Sequence, residues 1–114
     1  MDSAIREKSK RFAVRIVRLC QYLTEEKREF VMSKQLLRCG TSVGANVREG
    51  KYGQSRSDFV SKMSIALKEA SETEYWLELL RETEYLTTEQ YDSIQADCGE
   101  IAKLLTAIVK TSRP

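Results

Sequence analysis

The chain has no histidine among its 114 residues. That absence removes the Ser–His and Cys–His pairs of nucleophilic catalysis. It also removes the Glu-x-x-His pairs that build di-iron sites inside helix bundles. The single proline is the last residue, Pro114, and there are only 5 glycines. Punctuation this sparse argues against many short strands and turns and for long helices. No apolar run approaches the ~20 residues of a membrane span, and the stretch from Met1 to Lys8 has no apolar segment of the signal-peptide kind. A membrane is therefore not an expected partner. Cys20, Cys39 and Cys98 stand far apart, are odd in number and form no CxxC. Zinc would need thiolates or carboxylates alone, at spacings these residues do not offer. Reduced, core-type thiols in a cytoplasmic protein are the expected reading. No P-loop or dinucleotide fingerprint is present, and no cofactor or metal is expected.

What the chain does have is charge, unevenly placed. Charged residues make up 32% and hydrophobic residues 41%, the balance of a globular domain with a real core. One domain over residues 1–114 is expected. The formal net charge is +2, yet residues 1–56 hold 13 Lys/Arg against 6 Asp/Glu, and residues 57–114 hold 6 against 11. The halves thus carry +7 and −5 and can attract each other within one chain or between chains. Nucleic acid is a candidate partner for the basic half, and solvated helix faces are the plain alternative.

Apolar periodicity predicts four helices. The first starts near Ser3 as N-cap and runs over Phe12, Ile16, Leu19, Cys20 and Leu23. Thr24 to Glu29 reads as a polar connection. The second runs from Val31–Ser33 to about Tyr52, with Leu36, Gly40, Val43, Gly44 and Val47 inward. Gly40 and Gly44 cost roughly 1 kcal/mol each inside a helix, so a neighbour must pack very close there. Gly50 and Gly53 bracket the helix end, where left-handed backbone is useful. The third helix, capped by Ser55 or Ser57, carries Phe59, Met63, Ala66, Leu67, Ala70 and Leu77 and reaches about Thr83. Thr87 and Gln90 have the spacing of a capping box. The fourth helix follows with Tyr91, Ile94, Cys98, Ile101, Leu105 and Ile108, and fades near Ser112. Short connections make neighbours antiparallel, which predicts an all-α, up-down-up-down four-helix bundle.

Two surfaces are unusual. Opposite the core stripe of helix two lie Thr41, Ser42, Ala45, Asn46 and Glu49, where long charged side chains are normal. Away from the stripe of helix three sit Ile65, Tyr75, Trp76 and Leu79, near Glu69 and Glu72. Tyr and Trp are common interface anchors. Helix three either touches two neighbours inside its own bundle or forms a subunit interface with the back of helix two. In the second case Ser42, Ala45, Asn46, Glu49, Glu69, Glu72, Tyr75, Trp76 and Leu79 line it. Paired carboxylates such as Glu69 and Glu72 could do acid–base chemistry only if buried with a raised pKa. At i, i+3 on a helix they normally form a solvated or salt-bridged face, so no catalytic site is expected. Lys8, Arg11, Arg15 and Arg18 on helix one are the candidate phosphate contacts.

Ser42-Val43-Gly44-Ala45-Asn46, Glu49-Gly50, Asp58-Phe59, Ala66-Leu67-Lys68-Glu69-Ala70, Glu72 and Tyr75-Trp76-Leu77 together resemble a bacterial four-helix-bundle family. Its members were first noticed as reading frames within intervening sequences of 23S rRNA genes. The resemblance implies a bundle that assembles as a ring-like homopentamer. A similarly folded relative is the accessory protein of diversity-generating retroelements, which binds a reverse transcriptase and nucleic acid through a basic surface. The expected function is therefore a non-enzymatic homo-oligomer that binds RNA. The alternative is an adaptor for a protein partner such as a reverse transcriptase.

Overall fold

The computed structural model describes residues 3–113, which form α1 (Ser3–Glu25), α2 (Met32–Lys51), α3 (Arg56–Glu82) and α4 (Thr88–Ser112). The helices pack as a rod of 45 × 20 × 19 Å. Each helix lies against its neighbour in the chain, and α1 also touches α4, more sparingly. The backbones of the diagonal pairs do not approach each other closely among the described residues, so the arrangement is the predicted four-helix bundle. Among the described residues no helix is long and apolar enough to cross a membrane.

The core runs the length of the rod. Phe12, Ile16 and Leu23 of α1 meet Leu36, Val43 and Val47 of α2, Met63 and Leu77 of α3, and Ile101 and Leu105 of α4, all essentially inaccessible. Burying each such side chain stabilises the fold by about 1.5–3 kcal/mol. The stripes differ from expectation in detail. In α2, Cys39 is buried while Gly44 is half-buried; in α3, Thr73 is buried while Phe59 and Leu67 lie at the margin. Thr73 is tolerated inside because its hydroxyl donates to the Glu69 carbonyl at 2.8 Å and contacts Cys39 Sγ at 3.3 Å. In α4, Val109 rather than Ile108 closes the stripe.

The helix ends follow local chemistry. Ser55 caps α3 by accepting from Asp58 N, and Thr87 with Gln90 forms the expected capping box on α4. Ser3, expected as the cap of α1, is instead its first helical residue, and the residue before it lies outside the described range. The polar stretch after Leu23 is not all connection, because α1 continues to Glu25. Glu29 then does what no residue at the nominal cap position does. Val31 makes no side-chain cap bond. The Glu29 carboxylate accepts from the amides of Val31, Met32 and Ser33 at 3.1, 2.9 and 2.7 Å. These are orphan donors at the positive end of the α2 dipole. Glu29 is 7% exposed. Burial alone would raise its pKa, but the three amides and the Ser33 hydroxyl outweigh that and hold it below the usual carboxylate range.

The glycines of α2 serve close approach, and no glycine has positive φ; the left-handed residues among those described are Arg28 and Glu84, each in the turn after a helix. A Cβ at Gly40 would lie 2.8 Å from two carbons of Ile16, and one at Gly44 would lie 3.2 Å from the Ser9 carbonyl oxygen. The neighbour that the two α2 glycines require is therefore α1 of the same chain.

Candidate functional site

Two surfaces carry the residues singled out from the sequence, and the fold adds a third. On the α1–α4 flank, Lys8 reaches Glu100 at 3.1 Å and Arg15 reaches Asp97 at 2.7 Å. Arg15 also donates to Ser93 Oγ at 2.9 Å and to its carbonyl at 3.2 Å. Arg11 stays exposed, with only a loose contact to Glu7 at 3.9 Å, and Arg18 donates to Gln21 on its own helix. The four candidate phosphate contacts are thus split. Two are engaged by acids of α4, and two project from α1.

On the α2–α3 flank, Arg38 bridges both acids of α3: its Nη1 lies 3.2 Å from Glu69, and its Nη2 donates to Glu72. Trp76 Nε1 donates to the same Glu72 carboxylate at 3.1 Å, and the indole packs half-buried against the core. Arg38 and then the indole N–H hold Glu72 below the usual carboxylate range. That is the reverse of what a general acid at neutral pH requires. Glu49 pairs with Lys62 at 2.8 Å, and Asn46 donates to the Ser42 carbonyl at 2.8 Å. Glu49, Glu69, Glu72 and Trp76 therefore serve the seam between α2 and α3 of one chain. Beyond that seam Tyr75 stands 54% exposed, edge-on to Trp76 with ring centroids 5.3 Å apart, beside half-buried Leu79. Ile65 and the small, exposed Ala45 remain open as well.

The third surface was not singled out from the sequence. It is the outer groove between α1 and α2, about 910 Å³, floored by Ala13, Gly44 and Ala45 and flanked by Arg6, Lys10, Arg48 and Lys51. Arg6 and Lys10 are one helical turn apart, and so are Arg48 and Lys51, a spacing visible in the sequence. Their meeting across one groove depends on the antiparallel register, in which Ile16 faces Gly40 and Ser9 faces Gly44.

No described group of three or more Cys, Asp or Glu residues is placed to hold a metal ion. All three cysteines are free and buried. Burial pushes the thiols of Cys20 and Cys98 up to about 12 and raises that of Cys39. Thiols in that state are poor nucleophiles.

Residues 1–107 match one family, described as 23S rRNA-intervening sequence protein. The chain belongs to that family. A solved structure from Bacteroides thetaiotaomicron VPI-5482, a protein of the S23 ribosomal protein family, is 61% identical. It superposes with a TM-score of 0.95 over 96% of this chain and 97% of that one. No functionally curated protein matches the chain. Within the family setting, Ser42 to Asn46 can be read physically: Val43 enters the core, Gly44 admits α1, and Ser42 and Ala45 keep the back of α2 low.

Proposed function

We propose that this family member is a non-enzymatic, cytoplasmic homo-oligomer, a pentamer, that binds RNA through its basic α1–α2 half. One observation carries the assembly reading. A single rod bears a low surface at Ser42, outside the α1–α2 groove, and a separate aromatic, apolar surface at Tyr75, Leu79 and Ile65. Unlike patches that fit each other head to tail generate a ring when the rotation closes. The +7 and −5 halves of the sequence support the same direction of pairing. Five basic surfaces on one ring would bind a long polyanion by multivalency, and the family's description ties it to rRNA genes.

Light scattering on the native protein tests assembly. The expected mass is five times 13.1 kDa, about 65 kDa. Tyr75→Arg is expected to release monomers of unchanged helical content. A wild-type mass of 13.1 kDa overturns the assembly reading. RNA association is expected to weaken steeply with salt, because phosphate contacts release counterions. The engagement of Lys8 and Arg15 by α4 favours a second reading, an adaptor for a protein partner such as a reverse transcriptase. Absence of RNA retention by the intact oligomer selects it.

A further inference from the structure

We infer that the outer groove between α1 and α2 is a track for single-stranded RNA, in which Arg6, Lys10, Arg48 and Lys51 hold phosphates and Tyr52 stacks on a base. The inference rests on the RNA-binding reading and assigns it a site, a strand type and a set of residues.

The groove gathers cations without acidic partners. Among the described residues none of these four cations forms an ion pair, unlike Lys8 and Arg15 on the opposite flank of α1. Two acids also line the groove: Glu49 is bound by Lys62, and Glu7 has only a loose contact with Arg11 at 3.9 Å. The groove therefore keeps a net positive charge, which suits a polyanion.

Shape narrows the class. Gly44 brings the α1 backbone within 3.2 Å of its own would-be Cβ, and no long side chain fills the floor. At one end Tyr52 is 73% exposed, and the Lys51 ammonium lies 5.4 Å from its ring centroid. A large aromatic left in water beside a cation is what an unstacked base and its phosphate require. A duplex hides its base faces and cannot use the ring.

The test is fluorescence anisotropy with the full chain and a labelled single-stranded RNA of about 20 nucleotides, longer than one domain's site. Lys10→Glu with Arg48→Glu is expected to raise Kd at least about tenfold and to reduce the salt slope by roughly 1.4, the share of two single-strand phosphate contacts. Lys10→Gln with Arg48→Gln should weaken binding in the same direction and covers the case in which charge reversal unfolds the protein. Lys68→Glu with Lys103→Glu applies the same charge change on α3 and α4 and is expected to alter Kd less than about threefold. Tyr52→Ala is expected to weaken single-strand binding roughly fivefold or more, and to leave binding of a duplex of equal length unchanged.

Three results overturn the inference. The loss follows Arg11→Glu with Arg18→Glu while the groove pair binds like wild type: RNA is bound, but on the outer stripe of α1. The groove variants turn a wild-type oligomer into 13.1 kDa monomers: the groove is covered by a second copy. Wild type binds no RNA at low salt: the RNA-binding reading falls, and the groove assignment with it.

Discussion

The two flanks of α1 hold the same helix by opposite means. Toward α2 the seam is close. Gly40 lies under Ile16, Gly44 meets the Ser9 backbone, and no ion pair crosses among the described residues. Toward α4 the contact is sparse, and its polar links are two partly exposed ion pairs, Lys8–Glu100 and Arg15–Asp97, with Arg15 also donating to Ser93. Gly99 of α4 has nothing within 4 Å of a would-be Cβ. A glycine is thus a packing requirement on one side of α1 and an unfilled position in α4. Close packing gains dispersion and hydrophobic energy along a whole seam, whereas exposed ion pairs are worth at most about 1 kcal/mol each. The first flank therefore defines the α1–α2 hairpin, and the second closes the bundle weakly while neutralising part of the basic stripe.

Substitution at the tight seam should break this contrast most strongly. Gly40→Ala places a methyl against two branched carbons of a fully buried Ile16. The expected loss is about 1–3 kcal/mol by urea denaturation, even after the ~1 kcal/mol gained in helix propensity. Equal or greater stability would show that α1 can back away and that the seam is not tight.

Next comes the hinge of the same hairpin. Glu29→Gln removes the charge that satisfies the α2 amides and should cost about 1–2 kcal/mol near pH 7. Because the folded-state pKa of Glu29 is depressed, its contribution is complete above the unfolded value and disappears as pH falls through the folded one. Wild type should therefore lose stability on acidification below about pH 5, while the Gln variant shows a flatter acid limb. Parallel pH–stability curves would remove Glu29 from this role.

At the open position the sign should reverse. Gly99→Ala fills empty space in mid-helix and should stabilise by about 0.5–1 kcal/mol, read as a rise in Tm. The smallest effect belongs to the α4 flank. Arg15→Ala or Asp97→Ala should each cost under about 1 kcal/mol, shrinking further in high salt. A larger, salt-independent loss at Asp97 would mean the sparse flank is structurally as important as the tight one.

Much of this contrast was legible residue by residue. The need for a close neighbour at Gly40 and Gly44 follows from helix propensity alone, and the Thr87–Gln90 cap from its spacing. Three things were not. Gly50 and Gly53 suggest left-handed turns, yet neither adopts positive φ; a glycine in sequence does not say whether its freedom or its missing Cβ is used. Glu29 reads as part of a polar connection, because a cap working from outside the nominal cap position has no sequence spacing of its own. The four candidate phosphate contacts share one face of α1, but their availability depends on what α4 presents to that face.

Amphipathic spacing, scarce glycine and terminal proline by themselves determined four helices and, through short connections, their antiparallel order. The reason is that periodicity and punctuation are local properties of one strand of sequence. Tertiary structure alone decided which cations remain free and which flank is tight, and it brought Arg6 and Lys10 across from Arg48 and Lys51 in one groove. Those facts depend on the register between helices, which arises from volumes meeting in space.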